Sequence, residues 1–117
     1  MAQIPVQIVR NGNVVSFQPA TQEMTTVDIL FWVNNDEQQA HQPAPADSKG
    51  NLTNANGWMP NPIPAKQPNQ PAPSSRGLTF DTPAVQSGQK LLSFAYSMNY
   101  VCALHPTEKG VIIVKSN

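Results

Sequence analysis

No long segment of this chain has the apolar spacing of three to four residues that an amphipathic helix requires. Its apolar side chains fall instead in short runs, and Ile4, Val6 and Ile8 alternate with polar or small neighbours. Alternation with a period of two is typical of a strand that buries one face. Short strands joined by Gly, Asn and Pro turns predict an all-β sandwich or barrel.

The individual strands are predicted from β-branched and aromatic residues that turn-forming residues bound on both sides. We predict strands over 4–8, 14–17, 25–33, 78–80, 90–96 and 111–115. Turns are predicted at 11–13, 34–36 and 86–89. Pro19 should end the second strand, because proline cannot donate a hydrogen bond to a sheet.

Proline is concentrated in one part of the chain, since eight of its twelve copies lie between Pro43 and Pro73. The segment 42–77 is too long for a plain connection in a compact domain, and a disordered linker is one alternative. It contains Trp58-Met59 and Ile63, however, which a linker would seldom need. We therefore predict one domain over 1–117, in which 42–77 is a loop insertion packed on the sandwich. Trp58-Met59 would anchor this loop to the core, and the alternative is that the pair covers a functional site.

Charge and composition exclude several classes of function. Seven Lys and Arg balance seven Asp and Glu, which argues against a nucleic-acid binder or a polybasic membrane anchor. No segment approaches the ~20 apolar residues of a membrane-spanning helix, and the N-terminal residues do not have the pattern of a signal peptide. The single Cys excludes an internal disulfide.

The residue types that bind metals are few and lie close to predicted strand ends. Cys102 and His105 are separated by two residues before the last predicted strand, and Glu108 lies three residues further on. The other histidine, His41, follows the strand that ends at 33. A thiolate with two imidazoles suits copper in electron-transfer sites, and the same donors with a carboxylate also suit tetrahedral zinc. The spacing does not separate these two metals.

The chain resembles the small cupredoxins of the plastocyanin, pseudoazurin and amicyanin type in two blocks. The first block is the segment 27–36 with His41, which is similar to the first-histidine region of the family. The second block combines 94–96, Cys102–Pro106 and 109–114, which are similar to the family's strand, ligand loop and last strand. The turn at 87–89 also matches, whereas the proline-rich loop does not.

The resemblance implies a Greek-key β-sandwich with one mononuclear copper ion at one end. His41, Cys102 and His105 match the three equatorial ligands, and the axial Met of the short-loop form is replaced by Glu108. A carboxylate ligand would favour Cu(II) and lower the reduction potential. The alternatives are that Glu108 faces solvent and that the axial position is empty, holds water or takes a methionine. The methionines considered are Met24, Met59 and Met98.

The expected function is single-electron transfer with a Cu(II)/Cu(I) couple rather than catalysis. The resemblance implies an exposed His105 as the electron port, an apolar patch of Leu104 and Pro106 for transient docking of redox partners, and a periplasmic or otherwise extracytoplasmic location. Copper storage or delivery is the second hypothesis, and a catalytic copper centre with an open coordination position is the third. Gln42 stands where the family often has an Asn that ties the ligand loops together, and Asn34 or Asn35 are alternatives for that role.

Overall fold

The computed structural model describes residues 2–53, 57–83 and 93–116. These residues form seven strands in two mixed sheets. The strands are β1 (Gln3–Asn11), β2 (Val14–Gln18), β3 (Thr21–Thr25), β4 (Ile29–Asn34), β5 (Pro43–Pro45), β6 (Ala95–Cys102) and β7 (His105–Lys115). Within the same residues, no helix has the length and hydropathy that crossing a membrane requires.

The first sheet has the strand order β2-β1-β4. β1 and β2 form an antiparallel hairpin at the predicted turn, where Gly12 has a φ of 66° that favours glycine. β1 also pairs in parallel with β4, and this register sets Ile8 opposite Asn34. The ends of β1 and β4 therefore lie side by side.

The second sheet has the order β3-β7-β6-β5. β6 and β7 form a long antiparallel hairpin, β3 pairs in parallel with β7, and the short β5 pairs with the last residues of β6. Strand β5 begins two residues after His41, so its pairing brings that histidine next to the end of β6.

The two sheets pack against each other through one apolar core, as a β-sandwich should. Trp32 lies fully buried in this core, as predicted. The buried residues of the cluster are Val6, Ile8, Phe17, Met24, Leu30, Trp32, Trp58, Ile63, Leu78, Phe80, Tyr100, Cys102, Ile112 and Val114. The all-β sandwich predicted from the sequence is confirmed.

Several predicted strand boundaries are wrong. The strand predicted over 25–33 begins too early: Thr25 is the last residue of β3 in the other sheet, and β4 begins only at Ile29. The Asp28 carboxylate accepts hydrogen bonds from the backbone N–H and hydroxyl of Thr25 and closes a turn between the two strands. Residues 78–80 form no strand, and only Leu78 makes an isolated bridge with Leu30. The last strand begins at His105 rather than 111.

The turn predicted over 86–89 and residues 90–92 of the strand predicted over 90–96 lie outside the described residues. Within the described part, β6 begins at Ala95 and runs on to Cys102, so this strand extends further toward the C-terminus than predicted.

The described part of the proline-rich loop packs on the sandwich. Trp58 is 8% exposed and stacks on Trp32 with ring centroids 5.6 Å apart, whereas Met59 is 41% exposed. Ile63 is buried, and Ser74 bridges to Val33. Trp58 therefore pins the loop to the core, and Met59 takes no such part. That the chain is a single domain stays a prediction.

Replacement of Trp58 by Ala should lower the free energy of unfolding by about 3–5 kcal/mol, because it removes a large buried side chain and leaves a cavity beside Trp32. Guanidinium titration of the metal-free protein measures this loss. Met59→Ala is the matched control, and it should change the stability by less than about 0.5 kcal/mol. Equal effects of the two substitutions would contradict the packing role of Trp58.

Candidate metal centre

Cys102 and His105 face each other across the turn that joins β6 to β7. They form a cross-strand pair, with Ala103 and Leu104 as the two turn residues between them. Side chains of directly opposite residues lie on the same face of a sheet. The Sγ atom of Cys102 consequently lies 3.5 Å from Nδ1 of His105.

A register shift between Val101 and Cys102 brings Glu108 close to Cys102 and His105 as well. Val101 pairs with Lys109, so a regular register would set Cys102 opposite Glu108, but Cys102 pairs with His105 instead. Pro106, inside the irregular segment, has no N–H to donate to a regular ladder. Both His105 and Glu108 therefore turn toward Cys102, and the Glu108 side chain is only 9% exposed.

His41 approaches the same point from the loop after β4. Its backbone N–H and C=O exchange hydrogen bonds with Ile63 of the proline-rich loop, at 3.1 and 2.8 Å. Its Nδ1 atom lies 2.8 Å from Oε1 of Glu108 and 3.8 Å from Sγ of Cys102. The long loop thus holds a side chain of the cluster in place.

The four residues predicted to bind a metal are brought together by the structure. One donor atom from each of His41, Cys102, His105 and Glu108 lies within 4.8 Å of the others. His41 and Cys102 are fully buried, and the Glu108 carboxylate faces the cluster rather than solvent. Such a thiol, two ring nitrogens and one carboxylate fit a single four-coordinate metal ion.

The predicted methionine alternatives lie in different places. Met24 pairs with Val114, nine residues from His105 along β7, which corresponds to roughly 30 Å. Met98 precedes Cys102 by four residues on β6, or roughly 13 Å. These two side chains are too remote to complete the cluster, and Met59 lies exposed on the proline-rich loop.

Gln42 ties the segments that carry His41 and Cys102 together mainly through its backbone. Its N–H points to Sγ of Cys102 at 3.3 Å, and its C=O accepts a hydrogen bond from Ala103 at 2.8 Å. Its side-chain amide donates to the carbonyl of Pro60. Asn34 contributes a second tie, because its amide donates to the carbonyls of Gln39, Ile63 and Pro64.

Sequence reasoning missed two charged residues behind His41. Oδ2 of Asp36 lies 2.7 Å from Nε2 of His41, and Arg10 contacts both carboxylate oxygens of Asp36, at 2.7 and 2.9 Å. Arg10 continues the inward alternation of Ile4, Val6 and Ile8, so a charge at this position was a signal of a buried partner. Asp36 had been assigned only to a turn.

The protonation of His41 is set by opposing effects. Burial acts to lower its pKa, but Cys102, Asp36 and Glu108 favour the charged ring and together raise the pKa to about 9. Burial likewise acts to raise the pKa of Asp36, but hydrogen bonds from Arg10 and His41 hold it well below its usual range. A protonated His41 ring has an N–H group on each nitrogen, and these two groups would donate hydrogen bonds to the carboxylates of Glu108 and Asp36, which lie 2.8 and 2.7 Å away.

Comparison with known proteins assigns this fold to a recognised class. No protein-family model and no curated protein sequence matches the chain. The purple cupredoxin from Nitrosopumilus maritimus superposes with a TM-score of 0.66 and 16% identity, over 95% of this chain and 98% of that one. Amicyanin from Paracoccus versutus gives 0.58 and 15%, over 95% and 79% of the two chains.

An amicyanin mutant in the oxidised state gives a TM-score of 0.59 and 13% identity, over 95% of this chain and 80% of that one. The chain therefore has the cupredoxin β-sandwich fold, with a cluster of Cys, two His and Glu at one end of the sandwich.

The raised pKa of His41 predicts a pH-dependent stability of the metal-free protein. Protonated His41 contributes fully to the free energy of unfolding below its pKa in the unfolded chain, about 6.5. This contribution is lost as the pH rises through its pKa in the folded protein, about 9. A shift of this size corresponds to roughly 3 kcal/mol for a buried group. We expect the midpoint of urea unfolding to fall between pH 6.5 and 9, and His41→Asn to flatten that dependence. A parallel fall in both proteins would contradict the assignment to His41.

Proposed function

We propose that the protein binds one copper ion through His41, Cys102, His105 and Glu108 and transfers single electrons between partner proteins. The observation that carries the proposal is the convergence of these four donors within 4.8 Å at one end of a cupredoxin fold. When bound, copper supplies a one-electron Cu(II)/Cu(I) couple. The neighbouring folds, a purple cupredoxin and amicyanins, support copper over other metals.

The donor set itself supports copper. A thiolate with two imidazoles and a further group is the ligand combination of copper electron-transfer sites, although zinc accepts similar ligands. Cys102 and His105 are fixed by the β6–β7 hairpin, and His41 is fixed by its backbone hydrogen bonds to Ile63. Donors held by a folded scaffold need little rearrangement when the charge of the metal changes, which favours fast transfer.

The charges of the cluster favour the oxidised metal. With a metal bound, Glu108, Asp36 and the Cys102 thiolate would supply three negative charges, His41 would be neutral, and Arg10 would be the one cation of this group. The remaining negative charge is balanced by a divalent ion and only partly balanced by a monovalent one. Because the cluster is largely buried, this difference is weakly screened, and we expect a low reduction potential.

Electrons would enter and leave through His105. Its side chain is 25% exposed, whereas that of His41 is fully buried. Leu104, 46% exposed, and the exposed Pro106 flank it and offer a small apolar surface. Such a surface suits transient docking of a redox partner. The fold class supports a periplasmic or otherwise extracytoplasmic location as part of this proposal.

A catalytic copper centre is the second candidate, and one observation favours it. A surface cavity of about 300 Å³ is lined by Arg10, Asn13, Gln39, Thr107 and Glu108, among other residues. A small molecule in this cavity would reach the carboxylate of the cluster. Azide added to the Cu(II)-loaded protein tests this candidate. A changed optical spectrum would support a catalytic centre, and an unchanged spectrum would support electron transfer alone.

Loading with Cu(II) should produce an intense visible thiolate-to-copper absorption band. Replacement of Cys102 by Ser should remove this band, because the substitution removes the sulfur donor. Optical and EPR titration measures both effects. Absence of the band in the parent protein, together with tight Zn²⁺ binding, would overturn the electron-carrier proposal and favour a zinc site.

Replacement of Glu108 by Gln or Met should move the band, change the copper hyperfine splitting and raise the reduction potential. Loss of an anionic donor weakens Cu(II) binding more than Cu(I) binding, and a tenfold difference corresponds to about 59 mV for one electron. Glu23→Gln is the matched control, because Glu23 is an exposed carboxylate paired with Lys115 at the far end of β7. If the Glu108 variants behave like this control, Glu108 is not a ligand.

A further inference from the structure

The two histidines of the cluster are held in different ways. Both direct Nδ1 toward Cys102 and Glu108. Nε2 of His41 lies 2.7 Å from Oδ2 of Asp36, and both side chains are fully buried. Among the described residues, His105 has no such hydrogen bond on its second nitrogen, and its ring is partly exposed.

Asp36 is itself held by a dense set of hydrogen bonds. Arg10 donates to both carboxylate oxygens through Nε and Nη2, and the backbone N–H of Gln38 donates to Oδ1 at 2.9 Å. Nη2 of Arg10 also donates to the side chain of Gln39 at 2.9 Å. The backbone N–H of Asp36 donates to Oδ1 of Asn34. A carboxylate fixed in this way has little freedom to move away from His41.

The cost of burying Asp36 indicates that it has a role. A buried carboxylate is expensive unless it is paired, and a buried pair is seldom more stabilising than apolar side chains of the same volume. Arg10 offsets the cost with a two-point contact, but the second oxygen remains directed at the His41 ring. A carboxylate that accepts the outer N–H of a ligating histidine fixes the ring and increases its basicity toward the metal.

We propose that Asp36, held in place by Arg10, is a positioning residue that fixes His41 with Nδ1 directed at the metal and increases the preference of the site for Cu(II). The redox part of this inference rests on the proposed copper function. The positioning part does not, because it applies equally to Zn²⁺ bound at the same four donors.

Asp36→Asn in the full chain tests both parts, since it keeps the size of the side chain and removes its charge. Affinities for Zn²⁺ and Cu(II), measured by competition with a chelator, should fall by about 10–100-fold. The reduction potential should rise, by about 59 mV if the loss is tenfold greater for Cu(II) than for Cu(I). Asp28→Asn is the matched control, because Asp28 accepts comparable hydrogen bonds at the opposite end of β4.

A double variant keeps the test valid if Asp36→Asn does not fold. Removing Asp36 alone leaves the Arg10 charge without its partner, whereas Arg10→Gln with Asp36→Asn removes the buried pair together. The double variant should show the same direction of change in metal affinity and potential.

Proton NMR of the Zn²⁺-loaded protein gives a readout that does not depend on redox chemistry. The Nε2–H proton of His41 should exchange slowly with water in the parent protein and faster in both variants, because its carboxylate acceptor is lost. Unchanged exchange, affinities and potential in the two variants would overturn the inference. If the parent protein forms no thiolate-to-copper band but the variants still bind Zn²⁺ more weakly than it does, the positioning role is upheld and the copper function is rejected.

Discussion

The register shift at the end of the β6–β7 hairpin is the constraint on which the cluster of His41, Cys102, His105 and Glu108 depends. It allows Cys102 to pair with His105 while Glu108, on the same strand, also turns inward. A regular two-stranded ladder presents only one directly opposite residue to each position. The irregularity therefore lets one hairpin deliver three donor groups to a single point, and Pro106 is compatible with it because proline has no N–H to pair.

The fourth donor depends on packing over long distances in the chain. His41 is held by hydrogen bonds to Ile63, and the next residue, Gln42, binds Cys102 and Ala103 through its backbone. Ile63 belongs to the proline-rich loop, which Trp58 anchors to the core by stacking on Trp32. The proline-rich loop, which matches no part of the cupredoxin sequence pattern, thus helps to hold His41 in the cluster.

Electrostatics links the cluster to the first sheet. Arg10 at the end of β1 pairs with Asp36, and Asp36 in turn contacts His41. The parallel register of β1 and β4 makes this possible, because it places Ile8 opposite Asn34. Arg10 lies two residues beyond Ile8 on β1, and Asp36 lies two residues beyond Asn34, so the two come together. Charges buried in this arrangement act on one another more strongly than they would in solvent. The whole group favours a cation at the four donors.

The all-β class, the turn at Gly12, the burial of Trp32 and the residue types of the candidate metal cluster could be predicted from the sequence, because periodicity and side-chain chemistry are local properties. The separation of β3, which ends at Thr25, from β4, which begins at Ile29, could not be predicted, because the turn at Asp28 and the change of sheet depend on which neighbours each segment finds. The inward orientation of Glu108 and the Arg10–Asp36–His41 chain were likewise set by strand register and by contacts between distant segments. A register moved by one residue would turn the same side chains to the opposite face, so residue identity alone does not specify them.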